Sequence, residues 1–270
     1  MMIRSLLRDF FASATNRSAS STAPPKPTEG LCVYAVGDVH GQRKELEALL
    51  ARVEADAARM RADGLNTRIV FLGDYVDRGP DSRGVLDSLC ALAKRSADGS
   101  GIACRFLLGN HEAAMLDFLK EPAANSQWLS FGGVETLGSY GVRASAGTTE
   151  PARCRALRDA LDERLPDEHR RFLETLELMV AFGDYAFVHA GIRPGVALER
   201  QHPDDLLWIR EPFLSSPRRH EKVIVHGHTV VERPEILDNR IGIDTGAYAT
   251  GVLTAVALHG VERRILATAP

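Results

Sequence analysis

Five short blocks constrain this chain more than any other feature: Gly37-Asp38-Val39-His40-Gly41, Gly73-Asp74-Tyr75-Val76-Asp77-Arg78-Gly79, Gly109-Asn110-His111-Glu112, His189-Ala190-Gly191 and Gly227-His228-Thr229. They supply three aspartates, one asparagine and four histidines in glycine-flanked settings, most of them after an apolar, strand-like run. Hard oxygen donors mixed with imidazoles are a ligand set for divalent transition ions. Because the blocks run from residue 37 to 229, a division into independent domains would cut the set apart. The expectation is therefore one catalytic domain over 31–270, preceded by a poorly ordered tail over 1–30, of which 14–30 is rich in Ser, Thr, Ala and Pro.

The pattern between the blocks places them in a fold. Leu31 to Val36 reads as a strand ending in Gly37-Asp38, and Leu46, Leu49, Leu50, Val53, Ala57 and Met60 then recur at helical spacing. Arg68 to Leu72 reads as a second strand ending in Gly73-Asp74. Pro80-Asp81-Ser82 signals a turn and helix start ahead of Val85, Leu86, Leu89 and Ala93. Ile102 to Leu108 is a third strand, ending in Gly109-Asn110-His111. A β-α-β-α-β order implies right-handed crossovers and a largely parallel sheet. It sets Asp38, Asp74 and Asn110 at three strand ends along one edge, where open sheets hold their ligands. Trp128 to Gly133 reads as a lid or substrate-side turn and Pro151 to Leu165 as a helix. After Phe172 come short strands over 178–182, 185–189, 223–226, 240–243, 252–258 and 261–266, read as a second, more antiparallel sheet. Two sheets flanked by helices make an α/β fold, a four-layer α/β/β/α sandwich.

The chemistry follows from the residue types. Two divalent ions about 3.5–4 Å apart can grip a phosphoryl group and activate water between them. Asp38 and His40, two residues apart on a glycine-flanked turn, can aim at one ion. Asp74 is the natural bridging carboxylate, and Asn110, His189 and His228 can complete the second ion's set of ligands. Arg78 can clamp phosphate oxygens through its planar fork. Asp77 can accept a proton from an imidazole, which makes His111 the expected general acid for the leaving oxygen. His226, two residues before His228, reads as a packing residue, and His169, His202, His220 and His259 stand outside every block.

Together the blocks resemble the GDxHG, GDxVDRG and GNHE signatures of the phosphoprotein phosphatase family, over a span from about residue 32 to the C-terminal strands. The resemblance implies Asp38, His40 and Asp74 on a first metal, and Asp74, Asn110, His189 and His228 on a second. It implies a His111–Asp77 proton-donating dyad, and Arg78 and Asn110 on the substrate phosphate. Trp208-Ile209-Arg210-Glu211 is similar to the W-x-R-E segment of bacterial and phage-type members, which adds Arg210 as a second phosphate arginine. The cofactors implied are two divalent ions, commonly manganese, with iron and zinc also used. Leu108 stands where many protein phosphatases of the family carry a phosphate-binding arginine, which bears on the phosphoprotein preference.

The function expected on this basis is a Ser/Thr protein phosphatase in which a hydroxide bridging the two metals attacks phosphorus directly. The alternative is a symmetrical dinucleoside tetraphosphate hydrolase, whose second block resembles GDLVARG, with alanine where this chain has Asp77. A broad phosphomonoesterase lies between them, and a catalytically silent metal-binding scaffold is the remote reading. A net charge of −3 with no dense basic run argues against binding a nucleic-acid polymer. The four cysteines form no CxxC pair and no apolar run approaches the roughly 20 residues that span a bilayer. A cytoplasmic location is expected, and the oligomeric state is left open.

Overall fold

Strand β1 (Leu31–Val36) is buried on both faces, and this determines the layering. Cys32, Tyr34 and Val36 point into one core, while Leu31, Val33 and Ala35 point into another. A strand that is apolar on both sides must be covered on both. The same partition holds in β2 (Asn66–Phe71), where Ile69 and Phe71 face the first core and Val70 the second. The computed structural model describes residues 23–268. The N-terminal stretch 1–22 of the expected tail lies outside the described residues. Pro25 and Lys26 are held against the second sheet, the Lys26 backbone exchanging hydrogen bonds with Asp184 and the Pro25 carbonyl accepting from the Tyr185 hydroxyl.

The first sheet has the order β10-β9-β1-β2-β3, with β3 at Ala103–Phe106, β9 at Thr254–His259 and β10 at Glu262–Ala267. Its outer face is covered by α1 (Arg43–Ala62), α2 (Ser82–Ala97), α3 (Asn110–Lys120), α4 (Gly133–Ser139), α5 (Pro151–Asp162) and α6 (Asp167–Glu174). Helix α1 buries the Leu46, Leu49, Leu50, Val53 and Ala57 stripe read from the sequence, and Asp81 caps α2 by accepting from the Gly84 N–H. The second sheet has the order β4-β5-β6-β8-β7, formed by Met179–Phe182, Tyr185–Val188, Val223–His226, Arg240–Gly242 and Glu235–Ile236. Val225, Phe187, Ile241 and Val223 meet Val33, Val70 and Leu258 between the sheets. On its far face Ala186, Val188 and Ile224 pack under α7 (Pro203–Trp208) through Leu206. The result is the four-layer sandwich of two mixed sheets flanked by helices.

One expectation is corrected. Strands β9 and β10 do not join the second sheet: β9 pairs antiparallel with β1, from Cys32 opposite His259 to Val36 opposite Ala255. The centre of the second sheet is parallel, β5 beside β6 and β6 beside β8. A continuous apolar run reports that both faces of a strand are buried, but not which neighbour accepts its backbone bonds.

A buried ion network ties the helical layer to the first sheet. Asp56 on α1 is 3 % exposed and accepts from the Tyr34 hydroxyl at 2.7 Å and from the Arg264 guanidinium at 2.7 and 3.1 Å. The Arg264 bond, set against burial, holds the Asp56 carboxyl below the usual carboxylate range. A depressed folded-state pKa contributes stability that is present above the unfolded carboxylate range and lost as pH falls through the folded value. Arg264→Ala should cost about 1–2 kcal/mol at neutral pH, discounted because the arginine is partly exposed. The gap from wild type should narrow as acid protonates Asp56. Urea unfolding at neutral and acid pH measures both, and equal stability at pH 7 would show that the pair does not hold these layers together.

Candidate active site and metal centre

Six parallel strand ends build the site. Strands β1, β2 and β3 run parallel in the first sheet, and β5, β6 and β8 run parallel in the second. The chain leaves them at Asp38, Asp74, Asn110, His189, His228 and Asp244 in turn. Every one of these residues is buried. The loops are strained in one place only: among the described residues, the non-glycine residues at positive φ are His40, Asp74, Asp77, Arg78 and His228. Such conformations are uncommon for residues with a side chain and persist where the surroundings impose them. Here two turns interlock, since a Cβ on Gly79 would lie 2.0 Å from the His40 carbonyl oxygen.

The imidazoles are set up as cation ligands. His40 Nδ1 stands 2.9 Å from the Val76 carbonyl and His189 Nδ1 stands 2.9 Å from the Leu72 carbonyl, so each donates its proton there. Burial lowers the pKa of both, and that of His40 falls to about 3, so the rings are neutral and each has a single N–H. The His189 Nε2 lone pair therefore faces oxygens, Asn110 Oδ1 at 2.8 Å and Asp74 Oδ1 at 3.4 Å. The His40 Nε2 lone pair faces Asp74 Oδ2 at 3.5 Å. Lone pairs converging on lone pairs call for a cation between them. Backbone carbonyls that fix the tautomer of a ligating histidine are the usual support for such a site.

The carboxylates lead to the same conclusion. Asp38 Oδ1, Asp244 Oδ2 and His228 Nε2 are buried with no hydrogen-bond partner. Burial, reinforced by the Asp244 and Asp74 charges, pushes the Asp38 pKa well up, and burial raises Asp244 to about 6. Asp74 is held low, because the neighbouring histidines outweigh its burial. Ligand-capable atoms of Asp74, His189 and His228 lie within 4.8 Å of one another, and so do those of His40, Asp74 and His111. Asp74 belongs to both groups. The residues fit two divalent ions, and the donor set of oxygens and imidazoles does not by itself select manganese over iron or zinc.

Beside this centre, His111 Nδ1 donates to Asp77 Oδ2 at 2.7 Å. Burial works to lower the His111 pKa, but the Asp74 charge and the Asp77 bond outweigh it and leave the pKa raised. Asp77 is fully buried and also accepts from the Trp128 indole at 2.9 Å and the Thr136 hydroxyl at 2.6 Å. Trp128, in the 128–133 segment read as a lid or substrate-side turn, is thus itself a buried support for the dyad. The Arg78 guanidinium stands 3.1 Å from His40 Nε2 and 3.0 Å from His111 Nε2, which places its fork over both groups. Arg210 follows α7, is exposed, and sits near enough for its charge to help lower the His228 pKa. His226 is buried against Phe213 and takes no place in the cluster. Leu108, in the position of the missing arginine, is partly buried against two of the hydrophobic cores.

Asp244 escaped the sequence reading. Its signal was present, because Gly242-Ile243-Asp244-Thr245-Gly246 repeats the apolar-strand, acid, glycine order of the first blocks. Glu112 was read only as part of a motif, although its buried carboxylate accepts from four backbone N–H groups, those of Asp74, Tyr75, Val76 and Gly109.

Residues 32–251 match the model of the calcineurin-like phosphoesterases. The chain belongs to that family. It is a metal-dependent phosphoesterase with a site for two divalent ions. It is 28 % identical over 242 residues to an asymmetrical bis(5'-nucleosyl)-tetraphosphatase, PrpE, of Geobacillus thermodenitrificans, covering 82 % of this chain and 88 % of that one. A symmetrical bis(5'-nucleosyl)-tetraphosphatase of Methylococcus capsulatus is 29 % identical over 164 residues, covering 61 % of this chain and 44 % of its own length. A solved structure named as a candidate diadenosine tetraphosphatase superposes with a TM-score of 0.59 at 22 % identity, covering 91 % of this chain and 98 % of that one. A cold-active protein tyrosine phosphatase does so at 0.53 and 18 %, covering 93 % and 87 %. Both confirm the fold.

These relatives overturn the assignment to the phosphoprotein phosphatases, since the curated relatives found over most of the chain include nucleosyl tetraphosphatases of Geobacillus and Anoxybacillus. The physical reason is plain. The shared blocks gather metal-ligating and proton-carrying groups that suit any phosphoester, and Asp77, bonded to His111 Nδ1, does not distinguish one substrate from another. The described residues include no helix long and apolar enough to cross a membrane, and their four cysteines are free.

Because Asp74 contributes to both groups, Asp74→Asn should weaken both ions by at least about tenfold, roughly 1.4 kcal/mol each. Manganese titration calorimetry on chelator-treated protein measures this. Two sites of unchanged affinity would remove Asp74 from its shared position.

Proposed function

We propose that the chain hydrolyses dinucleoside tetraphosphates, cutting a phosphoanhydride bond within the polyphosphate. The observation that carries this is the match of 82 % of the chain to an enzyme of that activity, over 88 % of the relative's own length. The symmetrical relative from Methylococcus matches over 44 % of its length, so end-to-end similarity favours the asymmetrical cut, which yields a nucleoside triphosphate and a nucleoside monophosphate. The substrate is a small phosphoester and not a phosphoprotein.

Asp38, His40 and Asp74 are assigned to one ion, with the uncompensated Asp244 beside Asp38. Asp74, Asn110, His189 and His228 are assigned to the other. When bound, the two ions supply Lewis-acid charge to the phosphate and lower the pKa of water. The chain does the rest. Arg78, whose fork reaches both His40 and His111, binds and orients non-bridging phosphate oxygens. Arg210 adds a second cation on the His228 side and so spreads binding along the polyphosphate. His111 delivers a proton from Nε2 to the departing phosphate oxygen, while Asp77 holds Nδ1–H and keeps the ring in the productive orientation. The strained backbone at Asp77 and Arg78 sets the dyad and the phosphate arginine in consecutive positions that project to one centre.

Two measurements test the proposal. In a side-by-side comparison with added manganese, kcat/KM for diadenosine tetraphosphate should exceed that for phosphoserine and phosphothreonine peptides at least tenfold, and chromatography should find ATP and AMP. Faster peptide cleavage would refute the substrate class, while two ADP molecules would refute only the position of the cut. Separately, His111→Asn should lower kcat at least about 100-fold with two ions still bound. Loss of an ion in that variant would make His111 a ligand, in line with its closeness to His40 and Asp74.

A further inference from the structure

Phosphate chemistry leaves one feature of the site unused: exposed aromatic rings around its rim. Phe131, Trp208 and Tyr248 are 39, 42 and 38 % exposed. The Phe131 ring lies 6.5 Å from His111 and 6.4 Å from Trp208, and Trp208 lies 6.3 Å from His228. A continuous aromatic wall therefore runs from the proton-donating side of the site to the second metal group. Tyr248 stands on the opposite flank, 5.4 Å from His40, with the Arg78 guanidinium 4.7 Å over its ring.

Each ring of the wall is coupled to a phosphate arginine. Phe131 ends a 3₁₀ turn over Ser126–Phe131, and Gly132 follows at φ 108°. The Gly132 carbonyl accepts the Arg78 N–H at 3.3 Å, and a Cβ at Gly132 would stand 2.5 Å from that nitrogen, so this approach requires glycine. The Phe131 ring thus rides on the loop that carries Arg78. Trp208 is the last residue of α7, and Ile209, 7 % exposed, anchors the step from it to Arg210. Paired ring and guanidinium, twice over, match a ligand that joins a flat ring to a phosphate through a short spacer. A plain phosphomonoester would engage only the arginines. Phe131 and Trp208 meet at 62°, so they form a corner in which a heterocycle lies flat on one ring with its face's edge against the other.

We propose that Phe131 and Trp208 form the platform for one nucleobase of the substrate, seated while the adjoining phosphates occupy Arg78, Arg210 and the metal centre. This rests on the dinucleoside tetraphosphate reading above. Stacking on aromatic side chains tolerates any base, because every base offers a π-face. The platform therefore selects for the presence of a base more than for its identity.

The test compares substrates with the same anhydride bond, with and without a base. For Phe131→Ala and Trp208→Ala, the ratio of kcat/KM on diadenosine tetraphosphate to kcat/KM on inorganic tripolyphosphate should fall at least tenfold, mainly through KM. Trp208→Phe should restore most of it. An unchanged ratio, or a Phe variant as poor as the Ala variant, overturns the platform. Binding without turnover gives an independent reading. Of the two tryptophans, Trp128 is buried and Trp208 is exposed, so AMP added to the metal-loaded protein should quench Trp208 emission, and Phe131→Ala should weaken that titration at least fivefold. If the wild type fails to cleave diadenosine tetraphosphate yet AMP quenches, the proposed reaction fails and the platform stands. Cleavage without quenching and with an unchanged ratio has the opposite meaning.

Discussion

One buried carboxylate holds the site in its working shape. Glu112, fully buried in the first turn of α3, accepts N–H bonds from Asp74, Tyr75, Val76 and Gly109 at 2.7 to 3.1 Å. These donors sit at the ends of two neighbouring parallel strands, so the single side chain fastens the β2 loop to the β3 loop. Without it four backbone donors would lie in the interior unpaired, each at a cost of about 1–3 kcal/mol. Burial and the nearby Asp74 charge push the Glu112 pKa up to about 8, and the N–H groups work against that rise. The positive φ angles of Asp74, Asp77 and Arg78 are sustainable because this clamp and the interlocked turns leave the loop no relaxed alternative.

From that clamp follows the concentration of charge. Asp38, Asp74 and Asp244 gather at the ends of strands from both sheets, with neutral imidazoles between them and polar atoms left without partners. An interior that collects carboxylates and imidazole lone pairs in this way favours bound cations. Metal binding is therefore built into the fold, and the dyad and Arg78 are positioned around it by the same loops. Chemistry and architecture share their supports: Trp128 and Thr136 fill the core and at the same time fix Asp77.

Substrate choice resides elsewhere. On the proposed reading, metal ligands, dyad and phosphate arginines recognise what every phosphoester has in common, so blocks similar to those of protein phosphatases can occur in a chain similar to bis(5'-nucleosyl)-tetraphosphatases. The surface proposed to discriminate is the rim, where Phe131, Trp208 and Tyr248 leave large apolar rings in solvent. These residues lie outside the metal blocks and carry no periodic signature.

Strands β1 to β3, helices α1 and α2, and the hairpin of β4 and β5 were legible in the sequence, because burial periodicity and capping at Asp81 are local properties. So was the gathering of Asp38, His40, Asp74, Asn110, His189 and His228, since acids and histidines beside glycine at strand ends are few in number. The sheet joined by β9 was not legible, because a continuous apolar run is the same for either neighbour. Asp244 and the strained backbone of Asp77 and Arg78 emerged only when six strand ends met at one edge. Trp128 illustrates the division. Its sequence context suggested a lid or substrate-side turn, yet the packed chain buries it and points its N–H at Asp77. Residue types and their spacing determined which chemistry the chain could hold. Distances, lone pairs left facing one another and rings left in water depend on contacts between residues far apart in sequence, and only the tertiary structure decided them.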